Sequence, residues 1–116
     1  LRYIWVKERS NSSSPHFHVL LLFNHDTYHV LGDFNAGHNR NMATRIKKAW
    51  ASALALEPQA AIGLAEFPTN AVYRLNVSSS DFQQTRIDLF SRVSYFAKLN
   101  TKEFGSKSRN FGCSLR

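Results

Sequence analysis

The chain has 116 residues, enough for one sheet-and-helix core and too few for a second full lobe. A composition of 43% hydrophobic, 13% aromatic and 20% charged residues excludes intrinsic disorder, and no apolar run approaches the ~18 residues of a membrane span. Fifteen Lys and Arg against eight Asp and Glu leave a formal charge of +7, which points to a polyanionic partner without naming one.

In chain order, Arg2–Glu8 is mainly β-branched and aromatic and reads as a strand. A polar loop follows, and residues 16–23 form a second strand of almost unbroken apolar character, so the two make a hairpin. The second run is apolar in both phases, Phe17, Val19, Leu21 and Phe23 alternating with Leu20 and Leu22. It is therefore expected to be the central strand, covered on at least part of both sides. Because Leu1 already stands inside a strand-like run, a further strand is expected upstream, with this chain an excerpt of a longer one.

Residues 24–38 read as loop, with room for a short strand over residues 28–34. Met42, Ile46, Ala49, Trp50, Ala53 and Leu54 then recur at helical spacing, while Arg45, Lys47 and Lys48 lie off that stripe. This predicts an amphipathic helix that ends before Pro58, its cations on a solvated face. Residues 71–77 alternate well enough for a third strand, and Ser80 or Asp81 caps a final helix running to about residue 100. Cys113, the single cysteine, excludes an internal disulfide, and the N-terminus lacks a signal-peptide pattern, so a reducing, cytoplasmic location is expected.

The residues able to do chemistry begin with His16-Phe17-His18. Strand geometry turns positions i and i+2 to one face, so both imidazoles can reach one ion. If the intervening loop closes symmetrically, Glu8 lies opposite His16 on the same face, with directly opposed Cβ atoms about 5 Å apart. A shift of one residue would turn Glu8 away. Two histidines and a carboxylate with open positions suit several divalent ions, iron in an oxygenase among them. The basic balance favours a phosphodiester substrate, for which Mg²⁺ or Mn²⁺ acting as a Lewis acid is the simplest proposal. His25, His29 and His38 have no regular spacing and are assigned no role.

In the final helix Leu89, Phe90, Val93, Phe96 and Ala97 make the apolar stripe, and Tyr95 falls almost opposite, among Asp88, Ser91, Arg92, Lys98 and Lys102. A phenol among cations suits a nucleophile that loses a proton and meets a phosphate. Lys98, one turn on, is placed to stabilise charge on that phosphate. Residues 92–116 hold six basic residues against one acid, Glu103, so Arg92, Lys102, Lys107 and Arg109 are expected to face phosphates of the polyanionic partner.

Together, a strand with His16-Phe17-His18, an acid upstream at Glu8 and a helical Tyr95-x-x-Lys98 resemble the HUH replication initiators and relaxases. The stretches Tyr3-Ile4-Trp5-Val6-Lys7-Glu8-Arg9 and Ser94-Tyr95-Phe96-Ala97-Lys98 look still more like the YagK/YfjJ C-terminal domain family of prophages, related to a replication gene of filamentous phage. The likeness covers nearly the whole chain. It implies an α+β fold, a central antiparallel sheet flanked by helices in the HUH or RRM-like manner, its first strand upstream. It implies further that His16, His18 and Glu8 hold the metal while Tyr95 attacks single-stranded or hairpin DNA at a replication origin. The products are a 5′-phosphotyrosine link and a free 3′-hydroxyl able to prime rolling-circle synthesis, with host helicase and polymerase as partners. Some phage initiators of this class carry two helical tyrosines; here the positions one turn either side of Tyr95 are Ser91 and Leu99, leaving one nucleophile.

Two other readings use the same residues. A DNA-binding module that recognises an origin hairpin or a promoter without cutting accounts for the charge equally well. A small iron oxygenase accounts for the ligands and leaves Tyr95, Lys98 and the +7 charge without a purpose.

Overall fold

A computed structural model describes residues 1–9, 14–25, 41–97 and 109–115 of the chain. They fall into two compact units, one from Leu1–Asn24 and Arg74–Arg116, the other from His25–Tyr73. Among the described residues the architecture is α+β, a three-stranded antiparallel sheet and two α-helices.

In the first unit, β1 (Arg2–Glu8) and β2 (His16–Leu22) form the expected hairpin, paired from Arg2 opposite Leu22 to Glu8 opposite His16. The sheet order is β2-β1-β3, with β3 formed by Phe111–Cys113. The central strand of the described sheet is thus β1 rather than β2, a correction to the sequence expectation. Val6 of β1 is 3% exposed, whereas Val19 of β2 is 50% exposed. The apolar run in β2 implied cover on both sides, but the third strand joins β1, and cover goes with it.

The third strand is also not where alternation placed it. Residues 71–76 form no regular element, and the boundary between the two units passes between Tyr73 and Arg74. Asn76 ends that run as a turn former: its Oδ1 accepts from the Ser78 N–H at 3.0 Å and its carbonyl from the Ser79 N–H at 2.9 Å. The strand that does pair, Phe-Gly-Cys, is too short to show alternation. It is held by the Lys7 N–H donating to the Asn110 carbonyl and the Ser114 N–H donating to the Tyr3 carbonyl, and the Tyr3 N–H donates to Ser114 Oγ. Gly112 sits opposite Trp5, and a Cβ there would lie 2.5 Å from the indole Nε1. Only glycine lets this indole lie across β3.

The same unit carries α2 (Phe82–Ser94), which tightens into a 3₁₀ turn over Tyr95–Ala97; the stop expected near residue 100 lies outside the described residues. Asp81 stands at the N-cap position, but its carboxylate accepts from the Ser79 hydroxyl and makes no bond to the helix N–H groups. None of the α2 residues is fully buried, and Phe90, expected in the apolar stripe, is 75% exposed. Leu89, Val93 and Phe96 are half-buried, so the covered stripe is narrower than the wheel suggests.

In the second unit, α1 (Met42–Ala53) begins at Asn41, whose Oδ1 accepts from the Thr44 N–H at 2.9 Å. The helix falls where periodicity placed it, but its deepest positions are Ala43, Thr44 and Ala51. Ala49 and Ala53 of the expected stripe are exposed, and Met42, Ile46 and Trp50 are half-buried. Small side chains let a neighbouring backbone come close, a property that a stripe scored by apolar size does not register. Lys47 belongs to the covered side, its ammonium 5.9 Å from the centre of the Phe67 ring; Arg45 and Lys48 are solvent-facing as expected. A 3₁₀ turn over Pro58–Ala61 follows. The suggested strand over residues 28–34 lies outside the described residues, as do His29 and His38.

Candidate metal and nucleophile site

The hairpin register decides which side chains share a face. Glu8 is directly opposite His16, and His18 is opposite Val6, so Glu8, His16 and His18 all stand on the face that carries Val6. The pairing has the phase that symmetric loop closure requires. His18 Nε2 lies 3.2 Å from Glu8 Oε2, a diagonal cross-strand contact that donates from the imidazole when this nitrogen carries the proton. The carboxylate side chain is 16% exposed and the imidazole 51%, so the pair sits at the rim of the sheet. Exposed pairs contribute little to stability, on the order of 0–1 kcal/mol, so the contact can be exchanged for another ligand at small cost.

His16 is exposed one strand repeat from His18 on the same face. Among the described residues, no three His, Cys, Asp or Glu side chains are gathered closely enough to hold a metal ion. Glu8 and His18 meet, and the third donor, His16, is brought to the same face without completing the set. The donor chemistry, two imidazoles and one carboxylate with open positions, nevertheless fits a divalent cation of the Mg²⁺ or Mn²⁺ class or a softer ion.

Tyr95 follows the last residue of α2 and opens the 3₁₀ turn. It is 70% exposed, in keeping with its position off the apolar stripe. Its neighbour Phe96 packs near His18, with ring centroids 6.0 Å apart and planes inclined by 37°. This contact brings the tyrosine-bearing turn to the strand that carries both histidines. The helical wheel marks Phe96 only as a core residue, and no motif signals its contact with His18. The register of β2 together with the helix phase at Phe96 would have been needed to find it.

Of the expected DNA contacts, Arg92 is exposed on the last turn of α2, three residues before Tyr95, and Arg109 is exposed just ahead of β3. Lys98, Lys102 and Lys107 lie outside the described residues. No helix among the described residues is long and apolar enough to cross a membrane.

The sequence profile of the YagK/YfjJ C-terminal domain matches residues 1–114. Two Escherichia coli K12 proteins are similar to the chain, both described as uncharacterised. YagK is 46% identical over 111 residues, covering 96% of this chain and 52% of YagK. YfjJ is 42% identical over 114 residues, covering 98% of this chain and 54% of YfjJ. The chain therefore spans about half the length of these relatives. No solved structure matches.

Proposed function

The chain belongs to the YagK/YfjJ C-terminal domain family, and on that premise we propose that it is a metal-dependent nickase and strand transferase of single-stranded DNA, of the HUH type and with the RRM-like fold of replication endonucleases. The observation that supports this reading is the ring contact between Phe96 and His18, which ties the turn carrying Tyr95 to a strand whose histidines share a face with Glu8. The proposed nucleophile and the proposed metal donors thus belong to elements of one unit that are in contact.

His16, His18 and Glu8 are the residues to hold Mg²⁺ or Mn²⁺, and when bound the ion supplies Lewis-acid stabilisation of charge on a non-bridging phosphate oxygen. The Glu8–His18 contact gives way to that role. Tyr95 Oη attacks phosphorus, the bond from phosphorus to the 3′ oxygen breaks, and that oxygen takes up a proton as the phenol loses one. The 5′ phosphate stays on Tyr95 and the 3′-hydroxyl is free to prime synthesis. The phosphotyrosine ester preserves a phosphodiester bond, so a 3′-hydroxyl can reverse the step and rejoin a strand. Arg92 and Arg109 hold flanking phosphates, with Lys98, Lys102 and Lys107 in the same basic segment. The setting is origin nicking for rolling-circle replication of a prophage, phage or plasmid in the cytoplasm, where host helicase and polymerase take over the primed strand.

The second reading is a DNA-binding module that no longer cuts. What favours it is the pairing of Glu8 with His18 and the incomplete gathering of His16 around them. The two readings separate on one gel. With Mn²⁺ and single-stranded fragments tiling the DNA around its own coding sequence, the chain is expected to form an adduct that survives denaturation. Tyr95→Phe is expected to abolish the adduct and keep DNA binding. An undiminished adduct in this variant removes Tyr95 from the role; binding without any adduct, insensitive to chelation and to His16→Ala, establishes the binding module instead.

A further inference from the structure

The two faces of the sheet differ in chemistry. Glu8, His16 and His18 occupy one, and the register sends Tyr3, Trp5 and Lys7 of β1, Phe17, Val19 and Leu21 of β2, and Gly112 of β3 to the other. Among the described residues of the sheet, that second face carries three aromatic rings and a lysine, and no acid. Arg9, exposed, follows directly after the last residue of β1. Tyr3 and Phe17 are 40% and 39% exposed. Trp5 and Phe17 are in contact, with centroids 5.9 Å apart and planes tilted by 57°. The absence of a side chain at Gly112 lets the indole lie across β3. The result is a band of rings running from β3 to β2, with cationic residues at one end of the central strand.

We propose that this face, formed by Tyr3, Trp5 and Phe17 beside Lys7 and Arg9, is a base-stacking platform for single-stranded DNA. Unpaired bases present π-faces to exposed aromatic rings while the sugar-phosphate backbone meets cations, and both requirements are satisfied here. The absence of acid from the face matches a polyanion. Paired DNA buries its base faces in its own stack and gains little from such a surface. The choice of DNA over RNA rests on the nicking reaction proposed above; the stacking itself does not depend on Tyr95, which belongs to the α2 end of the unit. The platform accordingly predicts grip on the strand away from the scissile phosphate.

The test uses the full chain and a thymidine oligonucleotide of about twelve residues carrying one central 5-bromodeoxyuridine. Ultraviolet cross-linking followed by peptide mapping is expected to place the adduct on residues 1–9 or 16–22. Phe17→Leu keeps an apolar partner for Trp5 and removes the ring, and is expected to weaken binding about tenfold, with Phe17→Tyr restoring it. Tyr95→Phe is expected to leave this binding and the cross-link positions unchanged. Cross-links confined to other segments, or Phe17→Leu binding as tightly as the parent, overturn the platform and point to a face covered by protein. Tighter binding of the matching uridine ribo-oligonucleotide overturns the assignment to DNA. If Phe17→Leu does not fold, the map on the parent chain decides. A platform without a Tyr95 adduct sinks the nicking reading alone, and an adduct without the platform sinks this inference alone.

Discussion

At the scale of single residues, the histidine strand shows how far local geometry carries. Positions i and i+2 of a strand must share a face, and one register then brings Glu8 to them; the structure has that register. The pair that forms, Glu8 with His18, is exposed enough to be dispensable for folding. His18→Ala is therefore expected to change stability by less than about 1 kcal/mol in urea denaturation. If the imidazole is a ligand, the same substitution lowers Mn²⁺ affinity by more than about tenfold in calorimetry, since losing even an outer partner of a ligand has that effect. A variant that binds the ion as well as the parent removes His18 from the metal set. Tyr95 was legible as a surface tyrosine from the wheel alone, and its 70% exposure agrees. The proximity of its turn to His18 was not legible, because it depends on a contact made by Phe96, across more than seventy residues of intervening chain.

At the scale of elements, what could be read was whatever repeats over several turns or pleats. The hairpin and α1 declare themselves by period, and their bounds fall close to expectation. The covered side of α1 was misjudged because burial went to Ala43 and Ala51, where a small side chain permits close approach, rather than to the largest apolar groups. The third strand lies elsewhere for a related reason: residues 71–77 have the alternation but form no strand, whereas Phe111–Cys113 pairs with β1 and has too few residues to show a pattern. The element-scale consequence is a test at Gly112. Gly112→Ala drives a methyl into the Trp5 indole, and the expected cost is about 1–3 kcal/mol by denaturant midpoint, with a shift in indole fluorescence. On α1, Asn41→Ala removes the side-chain acceptor for the Thr44 N–H, and a loss of about 1 kcal/mol is expected in the same measurement. An unchanged midpoint would show that another group caps this end.

For the molecule as a whole, the formal charge of +7 was readable at once and the uses to which it is put were not. Net charge is a scalar, while binding depends on where cations stand relative to aromatic rings and to the nucleophile. If Lys7 and Arg9 meet phosphates at the sheet, Arg109 ahead of β3 and Arg92 near Tyr95, affinity for single-stranded DNA falls steeply with salt. Each phosphate contact adds about 0.7 to the steepness of log affinity against log salt. Lys7→Ala is expected to reduce that slope by about this amount, measured by fluorescence anisotropy over a salt series; an unaltered slope would place Lys7 off the path of the strand.

The pairing of β1 with β3 joins Ile4 to Cys113 across nearly the full span of the sequence. During synthesis the hairpin can assemble as soon as residue 22 leaves the ribosome, yet its middle strand keeps one ladder of amides unfilled until residues 111–113 emerge. Such distant partners are slow to meet. Between the emergence of residue 22 and that of residues 111–113 the nascent polypeptide thus exposes an open β-edge, the very kind of surface that recruits chaperones or sticks to its neighbours.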